Sequence, residues 1–191
     1  MAEISEKEIK RLISRAKKGE TEAFGQIYTL FAERIFRYIY LKVSNKEEAE
    51  DLTQQVFIRA WESIDSFKPL QNPVGSWFYA IAHNLIIDFY RKQKKDFSLD
   101  NENVKIEVID PIDLNERLVI KEEAQKILKL INQLPEEHRD ILFLRYIDDL
   151  SYQEIAKIIR KRPLTLRVLH HRALKRLKIL MENDTSFKQL N

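Results

Sequence analysis

The sequence predicts an all-α protein made of two small helical domains joined by an extended acidic linker. Only 3 Gly and 5 Pro occur in 191 residues, and 33% of the chain is charged, a composition that favours helices with few tight turns. Apolar residues recur at spacings of three and four through most of the chain, but this period fails between Lys95 and Asn115. The interruption predicts a domain at 1–95, a linker at 96–115 and a second domain at 116–184.

The bulk composition excludes several classes of protein. A hydrophobic content of 44% is too high for a disordered chain. The chain has no cysteine, which excludes a disulfide framework, a thiol redox switch and a Cys-ligated zinc site. No apolar run approaches the ~20 residues that span a bilayer, and the first residues lack the features of a signal peptide. We therefore expect a cytoplasmic protein with no membrane insertion and no metal or other cofactor.

The first two helices are predicted from their end signals. A helix over 6–18 begins after Ser5, a good N-cap, and stops at Gly19. Thr21 is then expected to cap a longer helix whose apolar residues keep the helical period. This second helix is predicted to be a central member of the core.

A third helix begins at a capping-box-like pair, Asn45 and Glu48. One face of this helix is apolar, and its opposite face is mostly polar, which predicts a surface. An ordinary solvated surface is one interpretation of the polar face, and a docking site for another protein is the alternative. The polar residues of interest on that face are Asp51, Gln54, Gln55 and Arg59.

The fourth predicted helix, which starts at Asn72 and Pro73, carries aromatic rings and ends in a run of cations. Unpaired bases stack on aromatic rings while Lys and Arg neutralise phosphates, so this pattern suits single-stranded nucleic acid. Taken alone, the spacing of the apolar residues favours the other interpretation, a core helix with a solvated basic end. Phe67, in the preceding loop 66–71, is the ring most readily assigned to bases, since Trp61 and Trp77 fit core packing better.

The second half predicts a helix-turn-helix. Helices resume near Glu116, and Pro135 is predicted to open another one as its first residue. Ser151 and Glu154 form a capping box for a short helix, and a break at 160–163 precedes a basic helix over about 164–180. From Arg160 to Lys178 there are eight Lys or Arg and no acid, whereas six acids and one Lys occupy 96–113. In a helix-turn-helix the second helix enters the major groove of DNA.

These residues resemble the sigma factors of the extracytoplasmic-function group, which give bacterial RNA polymerase its promoter specificity. AEDLTQQVFIRAWESIDSF looks like the family's polymerase-clamp-binding helix, and GSWFYAIAHNLIIDFYRK looks like its minus-ten recognition helix. LPEEHRDILFLRYIDDLSYQEIAKII and VLHHRALKRLK look like its minus-thirty-five helix-turn-helix. The resemblance covers nearly the whole chain, in two blocks separated by the acidic linker.

The resemblance implies three groups of contacting residues. The polymerase-docking residues would be Asp51, Gln54, Gln55 and Arg59. Those that open and hold the minus-ten element would be Phe67, Asn84, Asp88, Arg91 and Lys92. Those at the minus-thirty-five element would be Ser151, Thr165, Arg167, His170, His171, Arg172 and Lys175.

The sequence departs from the family pattern at one of these positions, Gln55, and at two others near the recognition helix, Arg160 and Leu164. Gln55 stands where the family often has Glu, which softens one charged contact. Arg160 and Leu164 replace glycines that many members have in the turn and just before the recognition helix. Arg160 is therefore expected to adopt a backbone conformation that is uncomfortable for a residue with a side chain, or else the turn has a different shape.

The resemblance implies a non-enzymatic protein that binds core RNA polymerase and promoter DNA, and that an anti-sigma factor holds inactive. Its linker would thread a basic channel of the polymerase, although a merely solvated linker is an equal alternative. A different hypothesis is a helix-turn-helix regulator whose N-terminal half is an oligomerisation module. The triplet His138, Arg139 and Asp140 is typical of kinase catalytic loops, but no phosphate loop accompanies it, so a helix-start role is favoured.

Overall fold

The structure is a computed structural model that describes residues 4–69, 72–97 and 122–184. Within those ranges the chain is helical, contains no strand and forms two compact units, which confirms the predicted all-α fold. The linker, with its strand-like segment 104–109, lies almost wholly outside the described residues. The first unit contains a 3-10 turn at Ile64–Ser66 and four helices: α1 (Glu6–Ala16), α2 (Thr21–Val43), α3 (Lys46–Ser63) and α4 (Val74–Phe97).

Residues 122–184, the described part of the second half of the chain, also form four helices, with one π-helical turn after the second of them. That turn covers Phe143–Ile147, so the α-helix that follows Pro135 ends at Leu142. The turn begins in the core, since Phe143 and Leu144 are buried, and it reaches the surface at Tyr146, which is 61% exposed. The helices are α5 (Glu122–Asn132), α6 (Glu136–Leu142), α7 (Tyr152–Ile158) and α8 (Pro163–Asn183).

Two predicted N-caps of the first unit are confirmed. The Ser5 hydroxyl accepts a hydrogen bond from the backbone N–H of Glu8 at 3.3 Å, and the Asn45 side chain accepts one from Glu48 at 3.1 Å. Each bond satisfies a donor that the first turn of a helix leaves without a partner. These short-range signals correctly place the starts of α1 and α3.

The predicted cap at Thr21 is wrong, because Thr21 is the first residue of α2 and Glu20 is its N-cap. The Glu20 side chain does not cap the helix. Its carboxylate accepts a hydrogen bond from Arg15 Nε at 2.8 Å, and this bond lowers the pKa of Glu20 below its usual value. Helix α1 also ends at Ala16, before the predicted 18, and the chain turns through Gly19 at φ +86°.

Aromatic rings pack the core of the first unit. Phe78 of α4 stacks on Phe31 of α2 and contacts Phe57 of α3, both with ring centroids 5.1 Å apart. Tyr38 and Tyr79 meet edge to face at 5.4 Å, and both are fully buried. Each such ring stabilises the fold by roughly 1.5–3 kcal/mol through burial. The core therefore fixes α4 against α2 and α3.

The ends of α4 differ slightly from those predicted. The helix begins at Val74, after Asn72 and Pro73, and continues to Phe97, past the predicted domain end at 95. The carbonyl of Pro73 still accepts a bond from the Trp77 N–H at 3.4 Å, so the proline lies directly against the first turn. Pro135 likewise is the N-cap of α6 and not its first residue.

The turn between α7 and α8 shows the strain that the sequence predicted. The capping box at the start of α7 is confirmed, since Ser151 N–H donates to the Glu154 carboxylate at 2.8 Å and Glu154 N–H donates to the Ser151 hydroxyl at 3.3 Å. Arg160 adopts φ +53°, the left-handed conformation that glycine occupies more easily. Helix α8 then begins at Pro163, before the predicted 164, and runs beyond 180 to Asn183.

Candidate nucleic-acid interface

The outward face of α3 presents the four side chains predicted to dock polymerase. All are exposed, while Leu52, Val56 and Phe57 on the opposite face are buried in the core. Ile58 lies among the polar residues and is 56% exposed. The predicted residues of this face are Asp51, Gln54, Gln55 and Arg59.

Helix α4 separates a buried face from a polar one. Phe78 and Leu85 are buried, as the core interpretation predicted, and Ile81 and Phe89 are half-buried. Asn84 is half-buried as well, so part of its side chain reaches the surface.

Asp88 lies one helical turn after Asn84, on the same side of α4. Its carboxylate accepts a hydrogen bond from Arg91 at 2.9 Å, and the Arg91 side chain is 77% exposed. Lys92 is also exposed. The structure thus places a carboxamide, a carboxylate and two cations in succession along α4, as predicted. His83, one residue before Asn84, is buried and its Nδ1 lies 3.3 Å from the Tyr38 hydroxyl, so it belongs to the core.

Phe67 does not present the free ring that the sequence interpretation assumed. The side chain is only 5% exposed, and its ring stacks on Trp77 at 4.2 Å with the planes 12° apart. A large apolar ring gains more from this burial than from exposure in a loop, and the partner is too distant in sequence for a local pattern to reveal it. Phe67 therefore anchors the chain before α4.

Lys17 also holds the segment that contains Phe67. Its ammonium group donates hydrogen bonds to the backbone carbonyls of Asp65 at 2.9 Å and of Phe67 at 2.6 Å. These carbonyls lie at the end of the 3-10 turn, where the helical bonds have run out. The sequence analysis missed Lys17, because a lysine after a helix gives no signal of a partner so far along the chain.

The first turns of α8 are mostly open to solvent. Leu166 and Ala173 are the buried residues of the helix and fix its inner face. Leu164, which replaces a family glycine, is 72% exposed. The exposed residues among the predicted DNA contacts are Ser151, Thr165, Arg167, His171, Arg172 and Lys175.

His170 behaves differently from its neighbour His171. Its Nδ1 lies 2.7 Å from the Tyr152 hydroxyl, and its Nε2 lies 3.0 Å from the Tyr146 hydroxyl. Partial burial, together with the nearby charges of Arg145 and His171, lowers the pKa of His170 below its ordinary value. Both ring nitrogens are thus engaged within the protein, unlike those expected of a residue that reads bases.

The described residues hold no cluster of three or more His, Asp or Glu that could bind a metal. Among the helices of the described ranges, none is both long and apolar enough to cross a membrane. The surfaces that remain as candidates for binding another molecule are the polar face of α3, the polar face of α4 and the exposed start of α8.

Two family models match the chain, one in each compact unit. Sigma-70 region 2 matches residues 27–96, and Sigma-70 region 4 matches residues 124–177. The ECF RNA polymerase sigma factor SigW of Bacillus subtilis is 35% identical over 178 residues, which cover 89% of this chain and 95% of that protein. The chain belongs to the ECF sigma factors. It directs promoter-specific initiation of transcription.

Other sigma factors align over most of the chain. BldN of Streptomyces coelicolor is 29% identical across 91% of this chain and 66% of its own length. The solved structure of CnrH, in complex with the cytosolic domain of CnrY, matches with a TM-score of 0.69 at 20% identity and covers 91% of this chain and 97% of that one. The solved structure of RpoE from Bartonella quintana matches with a TM-score of 0.67 at 24% identity, and it covers 84% of this chain and 98% of that one. These two structures support the fold.

Membership in the ECF sigma factors decides between the two hypotheses drawn from the sequence. The N-terminal half matches region 2, so the idea of a regulator with an N-terminal oligomerisation module loses its support. Helices α3 and α4 lie within the region 2 match, and α7 and α8 begin within the region 4 match.

Proposed function

We propose that this ECF sigma factor divides its task among three surfaces: α3 docks core RNA polymerase, α4 holds the opened minus-ten element, and α8 reads the minus-thirty-five element. The observation that supports this division best is the arrangement of the region 2 unit. Its aromatic core buries one face of both α3 and α4, and the polar residues expected to contact polymerase and DNA occupy their outer faces.

Docking through α3 would combine polar contacts with one apolar contact. Asp51 and Arg59 offer opposite charges, and the exposed Ile58 lies between them on the same face. Apolar side chains surrounded by polar ones are the usual anatomy of a protein interface. Gln55, in place of the family's frequent Glu, contributes a hydrogen-bonding group without a charge.

Opening of the minus-ten element would come from differential binding. A base that leaves the duplex costs about a few kcal/mol in lost pairing and stacking, and a protein that binds only the flipped base offsets this cost. Asn84 carries both a donor and an acceptor with which to contact a base edge. Arg91 and Lys92 would neutralise the phosphates of the separated strand.

Within this scheme Phe67 has a supporting role. Its ring is covered by Trp77, so we assign it to holding the loop before α4 in place. The cations at the end of α4 and the amide of Asn84 remain as the groups that contact DNA directly.

The test separates polymerase docking from promoter opening. Asn84→Ala should lower promoter-specific initiation by about tenfold, the loss of one to two hydrogen bonds, while core polymerase binding stays intact. Arg59→Ala, on α3, is the reciprocal control and should weaken core binding first. A pull-down with core polymerase and a run-off transcription assay measure the two properties. Equal loss of both in the Asn84 variant would contradict the assignment.

We further propose that the protein acts in the cytoplasm without covalent catalysis, and that an anti-sigma factor restrains it. RpoE of Bartonella quintana was solved with the anti-sigma factor NepR. A tagged copy of this chain, purified from its own cells, should carry one stoichiometric partner that suppresses run-off transcription when added back. A partner that leaves transcription unchanged would contradict restraint of this kind.

A further inference from the structure

Three side chains from three elements meet at the first half of α8. Tyr146 comes from the π-helical turn, Tyr152 is the first residue of α7, and His170 lies on the recognition helix α8. The imidazole lies between the two phenols, 2.7 Å from one hydroxyl and 3.0 Å from the other. Both tyrosine rings also contact the imidazole ring. The centroid of Tyr152 lies 5.7 Å from that of His170, and the centroid of Tyr146 lies 5.5 Å from it.

The chemistry of these groups is complementary. A neutral imidazole has one N–H donor and one acceptor nitrogen, and a phenol hydroxyl can either donate or accept. One tyrosine therefore accepts a hydrogen bond from His170 and the other donates one to it. Histidine satisfies both hydroxyls at once, so it links the π-helical turn and α7 to α8.

The same cluster holds two arginines. The guanidinium of Arg167 lies 5.9 Å from the ring centroid of Tyr152, and that of Arg145 lies 5.7 Å from it. Cations within about 6 Å of an aromatic ring are attracted to its face. Arg145 also donates to the Leu150 carbonyl at 3.0 Å. Tyr152, held by His170, thus orients Arg167, one of the residues assigned to the minus-thirty-five element.

We propose that His170 is a positioning residue, which sets the recognition helix and Arg167 against the rest of the helix-turn-helix and does not read a base itself. This inference rests on the proposed role of α8 in minus-thirty-five recognition. It also corrects the sequence interpretation, which grouped His170 with His171 as DNA contacts. His171 is exposed, and it remains assigned to DNA.

The adjacent histidines provide a matched pair for the test. Holoenzyme made with the full-length protein would be incubated with duplex DNA randomised at the upstream element, and bound sequences would be read for base preference at each position. His170→Gln should lower affinity for the preferred sequence by roughly tenfold, as expected for two lost hydrogen bonds, and weaken the preference at all positions together. His171→Gln should alter one position or only the overall affinity.

Tyr146→Phe guards against a variant that merely fails to fold. It removes a single oxygen from a side chain that is 61% exposed, so the domain should stay folded. The variant should reproduce part of the His170→Gln effect and add little to it in the double variant, since both changes break the same link. Full additivity would overturn the proposal.

Two further outcomes are distinguishable. A loss of preference at one base pair only in His170→Gln would show direct readout and overturn the positioning role. No upstream preference in the wild-type holoenzyme, or a preference indifferent to Arg167→Ala, would contradict the proposed function of α8 and with it the inference. If His170→Gln kept the upstream base preference while Arg167→Ala lost it, the positioning role of His170 would be overturned and the proposed function of α8 would stand.

Discussion

Two histidines of the region 4 unit, His138 and His170, have pKa values lowered by their surroundings. Burial is the largest cause of the lowered pKa at both histidines. The positive charges of Arg176 and Arg172 also lower the pKa of His138. Those of Arg145 and His171 lower the pKa of His170. Glu137 opposes the shift at His138. A histidine whose pKa is lower when folded binds protons more readily when unfolded, so acid favours unfolding.

We therefore expect the free energy of unfolding to fall as pH decreases from about 7.5 to about 5.5, through the ordinary histidine pKa and on toward the lowered folded values. Urea unfolding of the full chain, followed by circular dichroism, measures this change. Tryptophan fluorescence reports the first unit separately, because both tryptophans, Trp61 and Trp77, lie there. The double variant His138→Gln/His170→Gln should show a flatter dependence, and an unchanged slope would refute the linkage.

Arg160 occupies a left-handed backbone conformation in the turn before α8. Its φ of +53° costs a residue with a Cβ about 1–2 kcal/mol, whereas glycine avoids the clash but gains freedom in the unfolded chain. Arg160→Gly should therefore stabilise the unit by up to about 1 kcal/mol. Arg160→Ala, which keeps the Cβ, should show none of this gain in the same urea titration. Equal changes in stability for the two variants would mean that the effect comes from loss of the arginine side chain and not from relief of backbone strain.

These residues show which features a sequence can predict. The caps at Ser5, Asn45 and Ser151 involve donors three residues away, so the local pattern contained them. The strain at Arg160 was also local. The stacking of Phe67 on Trp77 and the bonds of His170 join segments that are distant in sequence, and composition at one position cannot reveal such partners.

At the scale of elements, α1 supports the segment that leads into α4. Lys17, just after α1, is bonded to the carbonyls of Asp65 and Phe67. The periodicity correctly predicted that α1 packs by one apolar face. It gave no reason to connect the end of α1 with the loop before α4.

Lys17→Met should loosen this loop, because it removes the donor from two backbone carbonyls while keeping the apolar stem. We expect a loss of about 1 kcal/mol in stability and faster amide hydrogen exchange in the residues after the 3-10 turn. Lys18→Met, at the exposed neighbouring position, is the matched control. Exchange that is equally fast in both variants, or unchanged in both, would refute the role given to Lys17.

At the scale of the whole molecule, charge is distributed unevenly along a chain whose formal net charge is only +3. The stretch from Arg160 to Lys178 has eight cations and no acid, and it coincides with the turn before α8 and most of that helix. Acids dominate 96–113 instead. Net charge alone would have suggested a weak affinity for DNA, whereas the distribution predicts that one unit carries most of the attraction to phosphates in duplex DNA.

This distribution predicts different roles for cations and polar residues of α8. Lys175 lies in the middle of the helix and is exposed, and we expect it to neutralise one phosphate. Lys175→Ala should then weaken holoenzyme binding to all upstream sequences alike and reduce the slope of log affinity against log salt by about 0.9. Thr165→Val, near the helix start, should change sequence preference and leave the slope intact, because a hydroxyl releases no counterion. Filter binding over a series of salt concentrations measures both, and a Lys175 variant with altered preference but an unchanged slope would place Lys175 on a base edge instead.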